Sequence, residues 1–272
     1  METYQSHLYS DPVLPISFRK KVIDESGILS HWHEELELLF VVKGNITAVL
    51  DSVSVNAGVS DLVVINSNCL HHVYSPSGQS IYYFMIIDKK LSDEFGIHFN
   101  EFFFQQLIND TKIKEIFTNM IHEFERQDSL YKLYIKSNIM ELFIHLYRNY
   151  MRHNYLSIDN QQNIAEYKKE YIQIALQYIQ DNFKRSLTVD EIAKKVGLSK
   201  FYFSRLFKEM TSLTVVDFIN KSRCFAVKNL LQTGKYAVGE AALSCGFDNF
   251  SYFSKTYKKH IGCLPSKQIP QK

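Results

Sequence analysis

Apolar and polar positions follow two different rhythms along this 272-residue chain. From about Ser17 to Ile87, short runs of Val, Ile, Leu and aromatic residues ("ELELLFVV", "NITAVLD", "DLVVIN", "SIYYFMII") are separated by clusters of Gly, Asn, Asp and Ser. Such runs predict many short strands, and with no comparably long helical pattern among them a β-barrel is the economical fold. After Leu91 the period lengthens. One helix is predicted over Glu101–Phe124. A second, in "YKLYIKSNIMELFIHLYRNYM", sets Ile135, Ile139, Leu142, Phe143, Leu146, Tyr147 and Tyr150 at three- and four-residue steps. That stripe packs either within the chain or on a second copy. Ile135, Ile139, Leu142 and Leu146 are expected to join two chains in a homodimer. The polar, aperiodic stretch "RHNYLSIDNQQNIAE", Arg152–Glu166, predicts a linker.

Beyond the linker the chain echoes itself. "TVDEIAKKVGLSKFYFSRLFKE" begins at Thr188 and "AVGEAALSCGFDNFSYFSKTYKK" at Ala237. Ala193 and Gly197 match Ala242 and Gly246 at an offset of 49, whereas Phe203 and Lys208 match Phe253 and Lys258 at 50, so the second turn is one residue longer. Each copy has the pattern of a helix-turn-helix. Thr188 and Glu191 form a T-x-x-E capping box, Ser199 and Asn249 are good N-caps for the second helices, and the small alanines suit a helix crossing. Phe203, Leu206 and Phe207 are expected to face inward, with Phe253 and Tyr257 doing so in the second copy. Lys200, Ser204, Arg205 and Lys208 then share one exposed face, and Asn249, Ser251, Ser254, Lys255 and Lys258 the other. Such faces suit a DNA major groove, where base edges exchange hydrogen bonds and phosphates attract cations. A helical pattern from Val215 to Gln232 lies between the copies and would span roughly 27 Å, enough to set the second helices about one DNA turn apart.

Charge sharpens this picture. The net charge is only +2, yet residues 164–272 carry 18 Lys and Arg against 9 Asp and Glu, leaving 13 against 20 for residues 1–163. A basic C-terminal part joined to an acidic N-terminal one implies that only the former meets a polyanion. No segment approaches a membrane span, and "METYQSHLYSDP" lacks the marks of an export signal, so a cytoplasmic location is expected. Cys69, Cys224, Cys245 and Cys263 form no CxxC or zinc-type pattern and are expected to be reduced, mostly packed thiols.

Residues 170–267 resemble the tandem helix-turn-helix domain of the AraC/XylS family of transcription regulators. The likeness is clearest in "AALSCGFDNFSYFSKTYKKHIGCLPS", Ala241–Ser266, with its Gly-Phe turn, Tyr-Phe pair, Lys pair and Gly-x-x-Pro ending. The resemblance implies DNA contacts from Phe201, Ser204 and Arg205 in the first copy and from Phe250, Ser251, Ser254 and Lys255 in the second. Three features depart from the family pattern: Thr211–Ser212 replaces a glycine, Ala241 replaces an isoleucine, and "SKQIPQK" lacks the aromatic–Arg ending.

The N-terminal stretch "HWHEELELLFVVKG", His31–Gly44, fits the first motif of the cupin barrel, in which two imidazoles and a carboxylate can bind a divalent metal. On a regular strand His31, His33 and Glu37 share a face and Trp32 turns away. A second motif is weaker, with Ser60 and Ser67 in place of Gly and Pro, and it offers His71 or His72. The cupin resemblance matches His71. Because similar stretches in AraC/XylS regulators more often line a small-molecule pocket, His31, His33, Glu37, His71 and Tyr82 are expected to contact an effector, a carbohydrate first. No cofactor is expected, and if a metal binds, His31, His33, Glu37 and His71 are its ligands.

These readings give an α+β multidomain chain, with a cupin-like sensor barrel over 1–95, a helical dimerisation region over 96–153, a linker over 154–166 and an all-α double helix-turn-helix domain over 167–272. The expected protein is a regulator, an activator by resemblance, with double-stranded DNA, a small effector and a second copy as partners and RNA polymerase as a further contact. Its competitors are a metal-dependent cupin enzyme with a DNA-binding tail and a constitutive regulator whose barrel only dimerises. No nucleophile–base pair, phosphate loop or cofactor fingerprint supports catalysis.

Overall fold

The computed structural model describes residues 11, 13–88, 91, 94, 96, 103–152 and 160–269, with 160–166 described by their backbone alone. By density of internal contacts the chain divides into two compact units. One takes the described residues of 11–27 and 32–152, and the other takes 28–31 and 160–269.

The first unit is rich in sheet. Its strands are β1 (Ile16–Ile23), β2 (Leu36–Lys43), β3 (Ile46–Leu50), β4 (Val53–Ala57), β5 (Leu62–Ile65), β6 (His71–Tyr74), β7 (Ser80–Ile87), β8 (Phe103–Phe104), β9 (Leu107–Ile108) and β10 (Met151–Arg152). They pair antiparallel as a five-stranded sheet β1-β7-β2-β5-β9, a three-stranded sheet β4-β3-β6 and the pair β10-β8. Among the described residues these ladders do not join into one closed circuit, so the expected barrel is built as separate sheets.

Strand β2 explains why its sequence does not alternate cleanly: six of its eight residues are buried, because both faces are covered. Leu36, Leu38 and Phe40, with Tyr83, Met85 and Ile87 of β7, face helices α1 (Thr111–Arg126) and α2 (Tyr131–Tyr150). Ile113, Ile116, Phe117 and Met120 of α1 and Ile135, Ile139, Leu142, Phe143 and Leu146 of α2 complete that core, in which the Phe40 and Phe117 rings stack at 4.8 Å. Period-two alternation sends Glu37, Leu39 and Val41 to the other face, paired with Ile86, Phe84 and Tyr82 of β7.

The helix expected over 101–124 begins only at Thr111, where the Asp110 side chain caps the Ile113 amide. Residues 103–108 form β8 and β9 instead. Asn66 fixes them in place, its Oδ1 accepting from the Phe104 amide and its Nδ2 donating to the Phe104 carbonyl. Residues 101 and 102 lie outside the described set.

The other unit contains α3 (Asn160–Asn182), α4 (Val189–Lys195), α5 (Lys200–Thr211), α6 (Val215–Gln232), α7 (Val238–Ser244), α8 (Phe250–Ile261) and a 3-10 turn, Pro265–Gln268. Helix α3 starts inside the stretch read as a linker, and 153–159 lie outside the described residues. Phe203, Phe207 and Phe218 meet edge to face in one half of the core, and Phe247, Phe253 and Tyr257 pack in the other. Arg223 ties α6 to the end of α3, donating from Nε to the Phe183 carbonyl and from Nη2 to the Arg185 carbonyl, both at 2.7 Å. None of the four cysteines is in a disulfide, and burial pushes the Cys224 thiol up to about 12.

Candidate nucleic-acid interface and buried histidine cluster

The sequence echo is an echo in three dimensions. Positions 200–211 and 250–261 run through nearly the same sequence of exposed and buried residues, with Phe203, Leu206, Phe207 and Thr211 buried where Phe253, Thr256, Tyr257 and Ile261 are buried. Turn geometry repeats too. Leu198 donates to the Ala193 carbonyl and Phe247 to that of Ala242, each across a glycine at positive φ. The caps form as the sequence predicts at Ser199 and Asn249, whose side chains accept from the Tyr202 and Tyr252 amides.

The expected box at Thr188 is only half made. Thr188 accepts from the Glu191 amide, but the Glu191 carboxylate turns to the Arg185 guanidinium and the Tyr178 hydroxyl. Those two donors hold its carboxyl down at about 2.

This frame leaves one side of each second helix in solvent. Lys200, Phe201, Arg205 and Lys208 are exposed on α5, with Ser204 half-buried among them. Asn249, Phe250, Ser251, Lys255 and Lys258 are exposed around α8, with Ser254 half-buried. Phe201 is 81% exposed and Phe250 57%, far more than packing requires of a large aromatic ring. Arg205 lies over the Tyr202 ring at 5.6 Å. No described acidic residue pairs with Lys200, Arg205, Lys208, Lys255 or Lys258, whereas the neighbouring Lys259 is held by Asp217 at 2.7 Å. The sequence-predicted DNA-contacting residues therefore lie on two matching cationic and aromatic faces.

The N-terminal motif closes into a buried cluster. Of His31, His33 and Glu37, only Glu37 lies on a regular strand, so the expected alternation does not extend back to the two histidines. His33 sits in an irregular segment before β2, and its ring reaches the carboxylate because its Nδ1 contacts the Glu35 carbonyl at 3.1 Å. His33 Nε2 lies 3.0 Å from Glu37 Oε2, and His71 Nε2 on β6 lies 3.2 Å from the same oxygen. His71, not His72, enters; His72 is half-buried and stacks on Tyr74. Burial alone would raise the Glu37 carboxyl. Hydrogen bonds from His33 and His71 outweigh it and hold the group well below the usual carboxylate range. Burial alone would lower His33, and the Glu37 carboxylate reverses that and raises it. Tyr82 is also buried, on the same sheet face as Glu37. All five residues expected to contact an effector are thus packed away, with none more than 7% exposed.

Two features escaped the sequence reading. A cavity of about 630 Å³ is lined by Ser54, Asn56, Phe103, Gln105, Gln106 and Arg152, together with apolar neighbours. The second concerns α2. Ile135, Ile139, Leu142 and Leu146, expected at a dimer interface, are 0% exposed within one chain and belong to its own core, which corrects that expectation. The opposite face of α2 carries exposed Leu133, Met140, Ile144 and Tyr147. Their spacing was visible in the sequence, but a pattern in which apolar residues appear on both sides does not say which side meets the sheet.

Fold and site together define a two-part protein, a sheet-rich unit with a buried polar cluster followed by a tandem helix-turn-helix unit. Residues 25–143 match the family described as the AraC-like ligand binding domain, and residues 192–268 match a helix-turn-helix domain family. With both matched in this order, the chain belongs to the AraC family of transcription regulators. The activator RhaR of Klebsiella pneumoniae subsp. pneumoniae is 22% identical over 249 residues, 87% of this chain and 85% of its own. The Msm operon regulatory protein of Streptococcus mutans serotype c is 33% identical over 99 residues, so this chain spans 36% of that protein's length. An apo variant of ToxT from Vibrio cholerae strain SCE256 shares the fold, with a TM-score of 0.52 at 17% identity over 92% of this chain and 96% of its own. Among the described residues no helix is long and apolar enough to cross a membrane.

Proposed function

We propose that this chain is a sequence-specific DNA-binding transcription regulator that acts as an activator and responds to a small molecule held in its N-terminal unit. The observation that carries the reading is the repeated exposed face of α5 and α8, with large aromatic rings and with cations that no described acidic residue neutralises, where a folding role would place neither. In this reading Arg205, Ser204, Ser251, Ser254 and Asn249 meet base edges. Lys200, Lys208, Lys255 and Lys258 meet phosphate, and Phe201 and Phe250 pack against sugar or thymine methyl groups. Effector binding shifts the population able to occupy a promoter and touch RNA polymerase, and no catalytic step is assigned.

An organic effector would have to displace packed groups to reach Tyr82 and the buried cluster. The cavity beside β4 is open, and its amides, Arg152 and the partly exposed Phe103 ring suit a hydroxyl-rich ligand such as a carbohydrate. We place the effector there. A homodimer is part of the same proposal, formed through the outer face of α2. The test is selection of bound duplexes from a random library by the full chain, with and without a panel of sugars. A recovered consensus with bipartite spacing supports the reading, and recovery of unenriched sequence overturns it.

A further inference from the structure

We infer that a groove beside α5 binds an amphipathic organic anion, an apolar body bearing one sulfonate or carboxylate, and that the occupied groove is closed to DNA. Binding of the anion is independent of the regulatory reading, and exclusion of DNA rests on it. The groove has a volume of about 400 Å³, within the range of small-molecule sites. Val189 at the start of α4, Phe201 on α5 and Val215 and Val216 at the start of α6 form its apolar wall, and Arg205 and Lys208 of α5 bring its cations. Phe201 is 81% exposed and Val216 54%, so the fold leaves this apolar surface in water.

The second copy shows that folding does not require it. Helices α5 and α8 correspond at an offset of 50, and so do Thr214 and Leu264, the residues that open the next helical turn of each copy. At that offset the buried Val215 meets a buried Pro265, whereas Phe201 meets Ser251 and Val216 meets Ser266, both exposed. The inner position is apolar in both copies, and the outer two are apolar only in the first. Phe250, an exposed ring of the second copy, matches Lys200 and so stands about 100° around the helix from the place of Phe201.

Charge selects the occupant. Asp190, Glu191, Glu209 and Asp217 are engaged by Lys194, Arg185, Lys168 and Lys259, and no described acidic residue pairs with Arg205 or Lys208. The first turn of α6 lines the groove as well, and the free amides of such a turn favour an anion. A neutral apolar ligand would leave these groups unused, and an inorganic anion would leave the wall in water. Because Arg205 and Lys208 are also assigned to DNA, anion and duplex compete for them.

The experiment titrates the full chain with anilinonaphthalene sulfonate, whose fluorescence rises in apolar surroundings, and with N-phenylnaphthylamine, the same body without the sulfonate. The sulfonate should fill one saturable site and bind at least about tenfold more tightly than the neutral probe. Arg205→Gln with Lys208→Gln should remove that difference, and Val216→Ser should weaken both probes about fivefold. All three side chains are exposed, and circular dichroism checks that the variants stay folded. A wild-type chain with no saturable site, a neutral probe bound as tightly as the sulfonate, or binding that Val216→Ser leaves unchanged overturns the inference. The sulfonate should also displace a labelled duplex selected by the full chain. Val216→Ser, outside the proposed DNA contacts, should keep the wild-type affinity for that duplex and resist displacement. Simultaneous binding of probe and duplex overturns the exclusion. Failure to bind any duplex overturns it together with the regulatory reading, and the fluorescence titration then decides the anion site alone.

Discussion

Gly197 and Gly246 occupy equivalent turns of the two helix-turn-helix copies, yet substitution by alanine should cost very different amounts. Both have positive φ, +76° and +88°, so a side chain at either carries the left-handed penalty of about 1–2 kcal/mol. At Gly197 a Cβ meets nothing within 4 Å, and the penalty is the whole cost. At Gly246 the same atom would lie 2.6 Å from the Lys184 carbonyl oxygen, 2.9 Å from its carbon and 3.1 Å from Arg223 Nε. Backbone and guanidinium must both move. The Arg223 bonds to the Phe183 and Arg185 carbonyls flank that contact, and losing one hydrogen bond to a charged group costs about 1.5–3 kcal/mol. Gly246→Ala should therefore cost about 3–5 kcal/mol, a large part of the stability of a unit this size. Urea denaturation of the full chain, followed by circular dichroism at 222 nm, measures both. Equal midpoint losses for the two variants would refute the assignment of Gly246 as a close-packed position and leave only its φ as a reason for glycine.

Further outcomes follow from other residues. Ser212 ends α5 at φ 62° where Gly262 ends α8 at 84°, so Ser212→Gly should stabilise by about 0.5–1 kcal/mol and raise the helical melting midpoint by roughly 2–8 °C. No gain would mean that Ser212 makes a compensating contact. Burial opposes ionisation of Asp110, but hydrogen bonds from the Tyr150 hydroxyl, the Ile113 amide and His145 win and hold its carboxyl at about 2. A depressed carboxylate contributes stability above its unfolded value near 3.9 that is lost as pH falls towards 2. Tyr150→Phe should flatten that acid-side loss in urea midpoints taken from pH 5 to 2, and an unchanged slope would remove Asp110 as its source. Met140→Glu with Ile144→Glu should give a folded monomer in sedimentation, whereas Ile139→Glu should unfold the sheet-rich unit by burying an unpaired charge. A wild-type monomer at tens of micromolar would refute pairing through α2.

What the sequence disclosed depended on whether a pattern was local. The repeat was legible down to the extra residue between Gly246 and Asn249, because caps, turn glycines and inward rings are set within a few residues of one another. Strands β2, β3, β5 and β7 were legible for the same reason. Over 103–110 the helical expectation fails because the structure is imposed from afar, by Asn66 holding Phe104. Helix α2 was found, but the side on which it packs depends on the sheet it meets, and periodicity contains no information about that. The residues of the histidine motif were identified, but their burial was not. Whether a same-face trio lines a pocket or closes on itself depends on β6 bringing His71 to Glu37, a contact between strands far apart in the chain.

In the proposed regulator α5 and α8 present two DNA-reading faces. Hydroxyl-radical footprinting of the full chain on its selected site tests that arrangement most directly. Two such faces should leave two protected patches about one helical turn apart on one face of the duplex, with Arg205→Ala losing one patch and Lys255→Ala weakening the other, and with affinity falling steeply with salt. A single protected patch, or protection that neither substitution changes, would contradict it.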